Sequence, residues 1–468
     1  MSEPPPALEG RFLHLLRDSL SGRVDERAFA TGDLRRAIPL LAIPMALEMS
    51  MEALFAIFDV FFVAKLGAAA VATVGLTEGV IALVYAVAFG LAMPATAFVS
   101  RRVGEDDREA AAHAGAQAIW LGAGIGLALS ATSLVAPAVL RLMGAGPDVM
   151  AQGVAFTRLT LLSSPLVVLL FVNNAILRGA GDASRAMRSL WLANAVNLAL
   201  DPCLIFGLGP FPELGLTGAA VATFLGRGLG VVYQLHHLRS GTFLSLRGHM
   251  GFDPPLAARL LRVSVGGTVQ HLVETGSWLL LTRLVATFGS VAVAGYTVGL
   301  RLVIFSLLPV WGFSNATATL VGQSLGAGDP ERAERSVWLS GLYATAFLGP
   351  CSLAFLLFPH QVAGLLAEDG AVRALAATAI HVIGWGYLFY GWQMVSQQAF
   401  NGAGDTTTPA WVNVACFWAV QLPLAWSLAH VAGWGPRGVF AAVAFCYSLA
   451  GVVSMALVRR GRWKTVVI

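Results

Sequence analysis

Three acidic side chains on one apolar stretch have the spacing of a site that handles cations or protons. Glu48, Glu52 and Asp59 lie four and seven residues apart, so at about 100° per residue of an α-helix they fall within about 40° of one another. An ionised carboxylate facing lipid costs about 2.5 kcal/mol or more. We therefore expect the stripe to face the protein interior or a water-filled cavity. Glu48 is the acid nearest the N-terminal end of this stretch, and its alternative role is to cap a helix near solvent.

A further acid, Asp201, lies on a second long apolar segment. Asn197 precedes it by one helical turn and Pro202 follows it directly. Two carboxylates that converge in a low-dielectric pocket cannot both ionise cheaply, so one of Asp59 and Asp201 is expected to hold a proton near neutral pH, as a proton carrier requires. We predict that Asp59 and Asp201 form the principal proton-coupling pair, which binds and releases the proton, with Glu52 beside them.

The segments that carry these acids are too apolar for a soluble protein. The chain of 468 residues is 57% hydrophobic and 12% charged, with a mean hydropathy of +0.72, whereas soluble domains have about 25% charged residues. Twelve apolar runs are each long enough to cross a hydrocarbon core of about 30 Å as a helix. The sequence therefore predicts an all-α integral membrane protein with twelve transmembrane helices. The runs lie near 37–64, 71–99, 112–135, 153–177, 184–207, 216–238, 258–285, 292–322, 336–358, 371–400, 408–431 and 436–458.

The twelve runs divide into two similar sets of six. The turn that begins at Gly179 recurs at Gly402, and 402 minus 179 is 223. Because six is an even number, the second copy begins on the same side of the membrane, which predicts parallel repeats related by a pseudo-twofold axis along the membrane normal. The predicted organisation is a cytoplasmic extension 1–35, an N-lobe 36–240 and a C-lobe 241–465.

The distribution of charge predicts orientation and excludes some partners. Most of the 30 lysines and arginines fall in the N-terminal extension, in alternate loops and after the last run, which predicts that both termini are cytoplasmic. This asymmetry explains the net charge of +4, so no nucleic-acid partner is predicted. The four cysteines lie in apolar runs without CxxC spacing, and neither a metal site nor a cofactor is predicted.

Four segments resemble the multidrug and toxic compound extrusion (MATE) family of secondary transporters, in its DinF-like and NorM-like branches. They are LRGAGDASRAMRSLWLANAVNLALDPCLIFG, FNGAGDTTTPAWVNV, IPMALEMSMEALFAIFDVFFVAKLG and VGQSLGAGDPERA. The resemblance covers nearly the whole chain. It implies a bacterial inner-membrane protein, monomeric in membrane lipid, that exports small organic and often cationic compounds by alternating access in exchange for inward flow of H⁺ or Na⁺.

The resemblance also implies roles for residues of the first half. In DinF-like members an acid in the first helix and an Asn/Asp pair in the fifth form an ion or proton site, and Asp59, Asn197 and Asp201 match these positions. Thr223 matches a hydroxyl of the sixth helix. In the family, a proline of the first helix is proposed as the point where that helix bends, and Pro44 matches this position. A proline there removes one helical hydrogen bond and permits a bend.

For the second half, the resemblance is to NorM-like members, which use a glutamate of the seventh helix for coupling or cation recognition. Glu274 matches it, and 274 minus 52 is 222, which makes it the counterpart of Glu52. These members carry an acid in the tenth helix, and Tyr390 occupies that position in this chain. The presence of their Na⁺ site in this protein is therefore in doubt. Aromatic faces, methionine and amides suit an adaptable pocket for flat lipophilic cations. The predicted substrate-cavity residues are Gln270, Trp278, Tyr390, Gln393, Met394 and Gln397.

Other functions remain as alternatives. A flippase for lipid-linked precursors or polysaccharides has a related architecture, but it needs a basic cavity for pyrophosphate, whereas the embedded charges here are mostly acidic. A channel differs from an exporter only in being unable to accumulate substrate against a gradient. An intramembrane enzyme is disfavoured because the spans contain no HExxH or GxSxG motif and no clustered His/Cys ligands.

Overall fold

The computed structural model describes residues 8–22, 27–240 and 244–468. Within these ranges every regular element is a helix. Of the predicted extension 1–35, residues 1–7 and 23–26 lie outside the described ranges, and two helices, Leu8–Ser21 and Arg27–Ala30, precede the first long one. The predicted all-α fold is confirmed.

Twelve long helical segments match the twelve predicted apolar runs. Among the described residues, ten of these segments are long and apolar enough to cross a membrane, and an eleventh is a bent pair of helices. The remaining segment is 33 residues long but less apolar, because Gln270, His271 and Glu274 interrupt it. In chain order, spans 1 to 12 are Leu34–Ala64, Ala68–Gly104, Arg108–Leu142, Pro147–Gly179, Ala183–Phe206, Leu216–Ser240, Pro254–Ala286, Ser290–Gly326, Pro330–Leu357, Gly370–Gly384 with Tyr387–Ala403, Thr407–Val431 and Pro436–Arg460.

Several spans are interrupted within their length. Span 10 bends by 61° between its two helices. Span 4 breaks at Ser163, and the next helix begins at Ser164 with Pro165 in its first turn. Span 3 contains a short 3₁₀-helical segment, Ala131–Val135. Span 11 contains two π-helical segments, Val414–Gln421 and Ser427–Val431. Such breaks are tolerated inside membrane proteins where neighbouring helices or side chains satisfy the freed backbone groups.

The two glycine turns of the repeat are built alike. Gly181 and Gly404 both have left-handed backbone, with φ of 94° and 89°, which glycine adopts without a steric penalty. The Asp182 carboxylate then accepts a hydrogen bond from the backbone N–H of Arg185 at 3.2 Å, and Asp405 accepts one from the N–H of Thr408 at 3.0 Å. Both aspartates therefore bond the backbone at the start of the helices that follow, as helix-capping residues do.

Contacts group the chain into two compact units. One contains Leu47–Thr268 and the other contains Met1–Ala46 with Val269–Ile468. Both boundaries fall inside spanning helices, at residue 46 in span 1 and residue 268 in span 7, and 268 minus 46 is 222. The two boundaries therefore lie at equivalent positions of the two repeats. The division into lobes 36–240 and 241–465 stays a prediction.

Candidate functional site

Glu48 has the most deeply buried carboxylate among the three acids of span 1. Only 1% of the residue is exposed. Its Oε1 accepts a hydrogen bond from Nδ2 of Asn174 at 2.8 Å, and Nη1 of Arg178 lies 3.6 Å from the same oxygen. The alternative role of Glu48 as a cap near solvent is therefore wrong. Its carboxylate is held inside the unit because a cation and an amide from span 4 reach it there.

Asn174 extends this cluster to spans 5 and 6. Its Oδ1 accepts hydrogen bonds from Oγ of Ser189 at 3.0 Å and from Nε2 of Gln234 at 2.7 Å. Ser189 and Gln234 are fully buried, and the sequence reasoning missed both. The sequence signal that could have found them is Gln234, a glutamine within an apolar span. A polar side chain inside a membrane helix usually has a hydrogen-bond partner on a neighbouring helix.

The second acid of span 1 meets the polar stripe of span 5. Glu52 is half-buried, and its Oε2 accepts a hydrogen bond from Nδ2 of Asn194 at 3.1 Å. Asn194, Asn197 and Asp201 share one face of span 5 at spacings of three and seven residues. This hydrogen bond brings the polar face of span 5 against the face of span 1 that carries the acids.

Asp201 is buried with its hydrogen-bonding capacity unused. It is 0% exposed, and neither of its carboxylate oxygens has a hydrogen-bond partner in the described chain. One turn earlier, Asn197 donates Nδ2 to Oγ1 of Thr223 at 2.8 Å, while its own Oδ1 is also buried without a partner. Leaving buried acceptors unpaired costs about 1–3 kcal/mol each, and more for a charged group. The chemistry of these three oxygen atoms fits a proton or a cation.

Glycines allow spans 5 and 6 to approach closely at this point. A Cβ on Gly226 would lie 2.5 Å from the backbone oxygen of Ala193, and one on Gly218 would lie 2.4 Å from the backbone oxygen of Leu204. Distances this short leave no room for a side chain. The close approach brings Thr223, on span 6, within reach of Asn197.

Asp59 is half-buried on span 1, within electrostatic range of Asp201. The charges of Glu78 and Arg227 also act on it. Asp59 and Asp201 share no hydrogen bond, since both oxygens of Asp201 are without a partner in the described chain. In the same part of the chain, no group of three or more His, Cys, Asp or Glu side chains is arranged to hold a metal ion.

In the second half, three of the predicted cavity residues form a buried chain of amides. Oε1 of Gln270 accepts hydrogen bonds from Nε2 of Gln397 at 2.9 Å and from Nδ2 of Asn401 at 3.4 Å. Its Nε2 donates to the backbone oxygen of Thr406 at 2.7 Å. Nε2 of Gln393 donates to Oε1 of Gln397 at 2.7 Å. These amides bond one another, and their role in lining a substrate cavity stays a prediction.

The remaining predicted cavity residues surround an aromatic cluster. Tyr390 is 1% exposed and stacks on Tyr447 with 4.2 Å between ring centroids and 9° between planes. The Trp278 ring lies 5.8 Å from Tyr447, and the charge of Glu274 is within electrostatic range of the same tyrosine. Met394 packs against this core. A carboxylate beside aromatic rings is suited to an organic cation, and the role of these residues stays a prediction.

Pro44 lies inside an unbroken helix. Span 1 runs for 31 residues through both Pro39 and Pro44. Each proline removes one backbone hydrogen bond, which weakens a helix locally. The unit boundary follows Pro44 by two residues, and the bending role of Pro44 stays a prediction.

Comparison with known proteins agrees with this duplicated architecture. The MatE family profile matches the chain twice, over residues 44–203 and 268–427, and 268 minus 44 is 224. The two matches together cover more than half of the chain. Both begin on the helices that carry the acids of spans 1 and 7, and the duplication predicted from the sequence is confirmed.

Relatives agree with the family match, and a solved structure agrees with the fold. A probable multidrug resistance protein NorM of Pseudomonas aeruginosa is 29% identical over 450 residues, which is 92% of this chain and 89% of the relative. A probable NorM of Thermotoga maritima is 24% identical over 436 residues, 92% of this chain and 94% of the relative. A crystal structure of a MATE protein in complex with MaL6 superposes with a TM-score of 0.87 at 24% identity and covers 93% of this chain and 98% of its own.

The helical spans, the twofold match and the length of the alignments lead to one assignment. The alignments leave no large part of the chain or of its relatives unmatched. The chain belongs to the MatE family of multi-pass membrane transporters, which export drugs and toxic compounds.

Proposed function

We propose that this transporter is a secondary antiporter that exports lipophilic organic cations in exchange for H⁺ or Na⁺. The observation that carries the proposal is Asp201, fully buried in a spanning helix with both carboxylate oxygens unpartnered in the described chain. An ionisable group inside a membrane is expensive, and function is its usual reason. Asp59 lies within electrostatic range of Asp201 and completes the pair.

The pair couples export to ion entry by a change of charge. When both acids are ionised, their negative charge favours a bound organic cation in this half of the protein. Entry of one proton or one Na⁺ removes one negative charge and weakens that attraction, so the organic cation leaves. In alternating access the two states open to opposite sides of the membrane, so the ion gradient drives export.

The cationic cargo follows from the charges within the spans. Glu52, Asp59 and Asp201 are carboxylates of one half, and Glu274 lies near aromatic rings in the other. Carboxylates and aromatic faces favour positive charge over anionic headgroups. The relatives are named for multidrug resistance, which supports an organic drug-like cargo.

The test is uphill uptake of ethidium, a lipophilic cation, into inside-out vesicles. Asp59→Asn and Asp201→Asn should each abolish ΔpH-driven or ΔNa⁺-driven uptake, because the amide fixes the pocket in a neutral form. The double variant should be little worse than either single one, since the pair acts as a unit. Glu213→Gln is the matched control, because Glu213 is an exposed acid in the loop between spans 5 and 6. Near wild-type uphill export by either single variant, at equal membrane levels, would move the coupling site elsewhere and make Glu274 the leading candidate.

The remaining proposals concern the setting of the protein. We propose that it functions as a monomer with both termini in the cytoplasm and without a cofactor. Reporter fusions after Leu238 and after Arg460 should both report the inner side, because the basic loops concentrate there. A periplasmic signal at either position would overturn the topology.

A further inference from the structure

Arg227 is a basic side chain of the unit that holds the acid pair. It is half-buried on span 6. Nη2 of its guanidinium donates to the hydroxyl of Tyr85 at 2.5 Å, and the guanidinium carbon lies 5.7 Å from the centroid of the same ring. No carboxylate of the described residues lies within ion-pair distance of it. Arg227 is therefore held by an aromatic ring and not neutralised by an acid.

The aromatic side chains around Tyr85 fix this arrangement. Tyr85 meets the Phe171 ring edge-on at 5.7 Å and 87°, and Phe89 lies 4.6 Å from Phe171. These rings belong to spans 2 and 4 and form one wall. An arginine on an aromatic face keeps its charge and has few other conformations open to it. The guanidinium is thus a fixed positive charge.

Span 6 places Arg227 close to Thr223. Arg227 follows Thr223 by four residues on one helix, so the two share a face about one turn apart. Thr223 accepts the hydrogen bond from Asn197, and the charge of Arg227 acts on Asp59. The other charged groups in this region are acidic, since Glu52 and Glu78 lie within electrostatic range of Tyr85.

A proton and a sodium ion differ in what they need from this site. One proton on Asp201 supplies a donor, and Asn197 Oδ1, one turn away on the same helix face, is an acceptor that lacks one. Either ion adds one positive charge beside the guanidinium, so Arg227 weakens the binding of both. A carboxylate binds a proton covalently and far more tightly than it binds Na⁺, so proton binding survives this penalty. A sodium ion is held only by electrostatic attraction and must lose much of its water to bind, so it has no such reserve of affinity. At an effective dielectric constant near 20, a unit charge one helical turn away weakens the binding of such a cation by roughly 100-fold.

We propose that Arg227 determines the coupling ion: its fixed charge excludes Na⁺ from the Asp59, Asn197, Asp201 and Thr223 site, so that the site takes H⁺. The inference rests on the proposed function, because it takes these residues as the coupling site. It goes further by choosing between the two ions and by assigning that choice to a residue outside the acid pair.

The test measures ethidium uptake into proteoliposomes under a pH gradient alone and under a sodium gradient alone. The wild type should respond to the pH gradient and show no response to sodium. Arg227→Met, of similar length and without charge, should gain sodium-driven uptake, and its affinity for Na⁺ should rise by roughly 100-fold. Arg227→Lys keeps the charge and should stay unresponsive to sodium. Tyr85→Phe, which loses only the hydroxyl, should behave like Arg227→Lys.

A second readout does not depend on transport. Thermal unfolding in detergent is compared in NaCl and in choline chloride at equal ionic strength. Arg227→Met and Arg227→Gln should be stabilised specifically by Na⁺, whereas the wild type should not. The sodium effect must disappear in Arg227→Met with Asp201→Asn, because that variant removes an oxygen ligand from the proposed site.

The outcomes separate this inference from the proposed antiport. Sodium-driven uptake by the wild type, or a sodium response by Arg227→Lys, overturns the role of Arg227 and leaves antiport intact. The same holds if neither neutral variant gains a sodium response in transport or unfolding. If the wild type responds to neither gradient, the antiport itself is wrong.

Discussion

Repeat-related positions in the two halves carry the same hydrogen-bonding triad with different charges. In the first half, Glu48 accepts from Asn174 and faces Arg178. In the second half, the corresponding acceptor is Gln270, which accepts hydrogen bonds from Gln397 and Asn401. The offsets agree: 270 minus 48 is 222, 397 minus 174 is 223, and 401 minus 178 is 223. One geometry thus holds an ion pair in one half and neutral amides in the other.

The difference teaches how far a duplicated scaffold constrains its chemistry. Gln270 is satisfied on both sides, because it accepts from Gln397 and donates to a backbone carbonyl. Glu48 retains a buried oxygen, Oε2, without a hydrogen-bond partner in the described chain. A neutral amide gives a self-contained structural link. An acid at the same place needs a cation or a proton, so only the first half has a triad whose stability depends on charge.

The largest effect is expected from removing the cation of the charged triad. Arg178→Asn leaves Glu48 buried with no cation beside it, and breaking a buried ion pair costs about 3–5 kcal/mol. Arg178→Asn combined with Glu48→Gln reproduces the amides of the second half and should recover at least half of that loss. Thermal and denaturant unfolding in detergent measures both variants.

The matched control for this change is Arg141→Asn, since Arg141 is an exposed arginine near the end of span 3. It should change the free energy of unfolding little. A double variant as unstable as Arg178→Asn, or less stable, would show that the charge on Glu48 does not set the cost.

The converse change introduces an acid into the neutral triad. Gln270→Glu replaces the donor that bonds the Thr406 oxygen by a buried carboxylate oxygen that has no donor there, at a cost of about 1–3 kcal/mol. Adding Asn401→Arg should restore part of the stability by rebuilding the charged triad. The unfolding assay measures the set, with Gln361→Glu at an exposed position as control. No recovery in the double variant would mean that the halves differ in geometry as well as in charge.

The smallest effect concerns the acids of spans 1 and 7. Glu274→Gln should lower ethidium uptake by roughly tenfold, a change of about 1.4 kcal/mol in the barrier, with stability unchanged. Glu48→Gln should act in the opposite way and lower stability before transport, because Glu48 belongs to the buried triad. Glu368→Gln, at an exposed position outside the spans, is the control. Equal uptake by the Glu274 and Glu48 variants would remove Glu274 from the mechanism.

The spans, the duplication and the capped turns could all be predicted from the sequence. Each follows from local chemistry: apolar runs must be helical to satisfy their backbone in lipid, and an aspartate after a glycine turn caps the next helix. The stripes of acids in span 1 and of amides in span 5 were equally visible, because helical periodicity alone puts their members on one face. The pairing of Glu52 with Asn194 was decided by the packing of spans 1 and 5.

The partners of most buried polar groups were decided only by the tertiary structure. Glu48 and Asn174 are 126 residues apart in sequence, and Arg227 and Tyr85 are 142 apart, so no local pattern specifies either contact. The sequence left open whether Glu48 lies near solvent, and its contacts with span 4 show that it is buried. Hydropathy determines which segments enter the membrane. Which polar side chains then meet depends on how closely the helices pack, and here glycines at positions such as Gly226 set that distance.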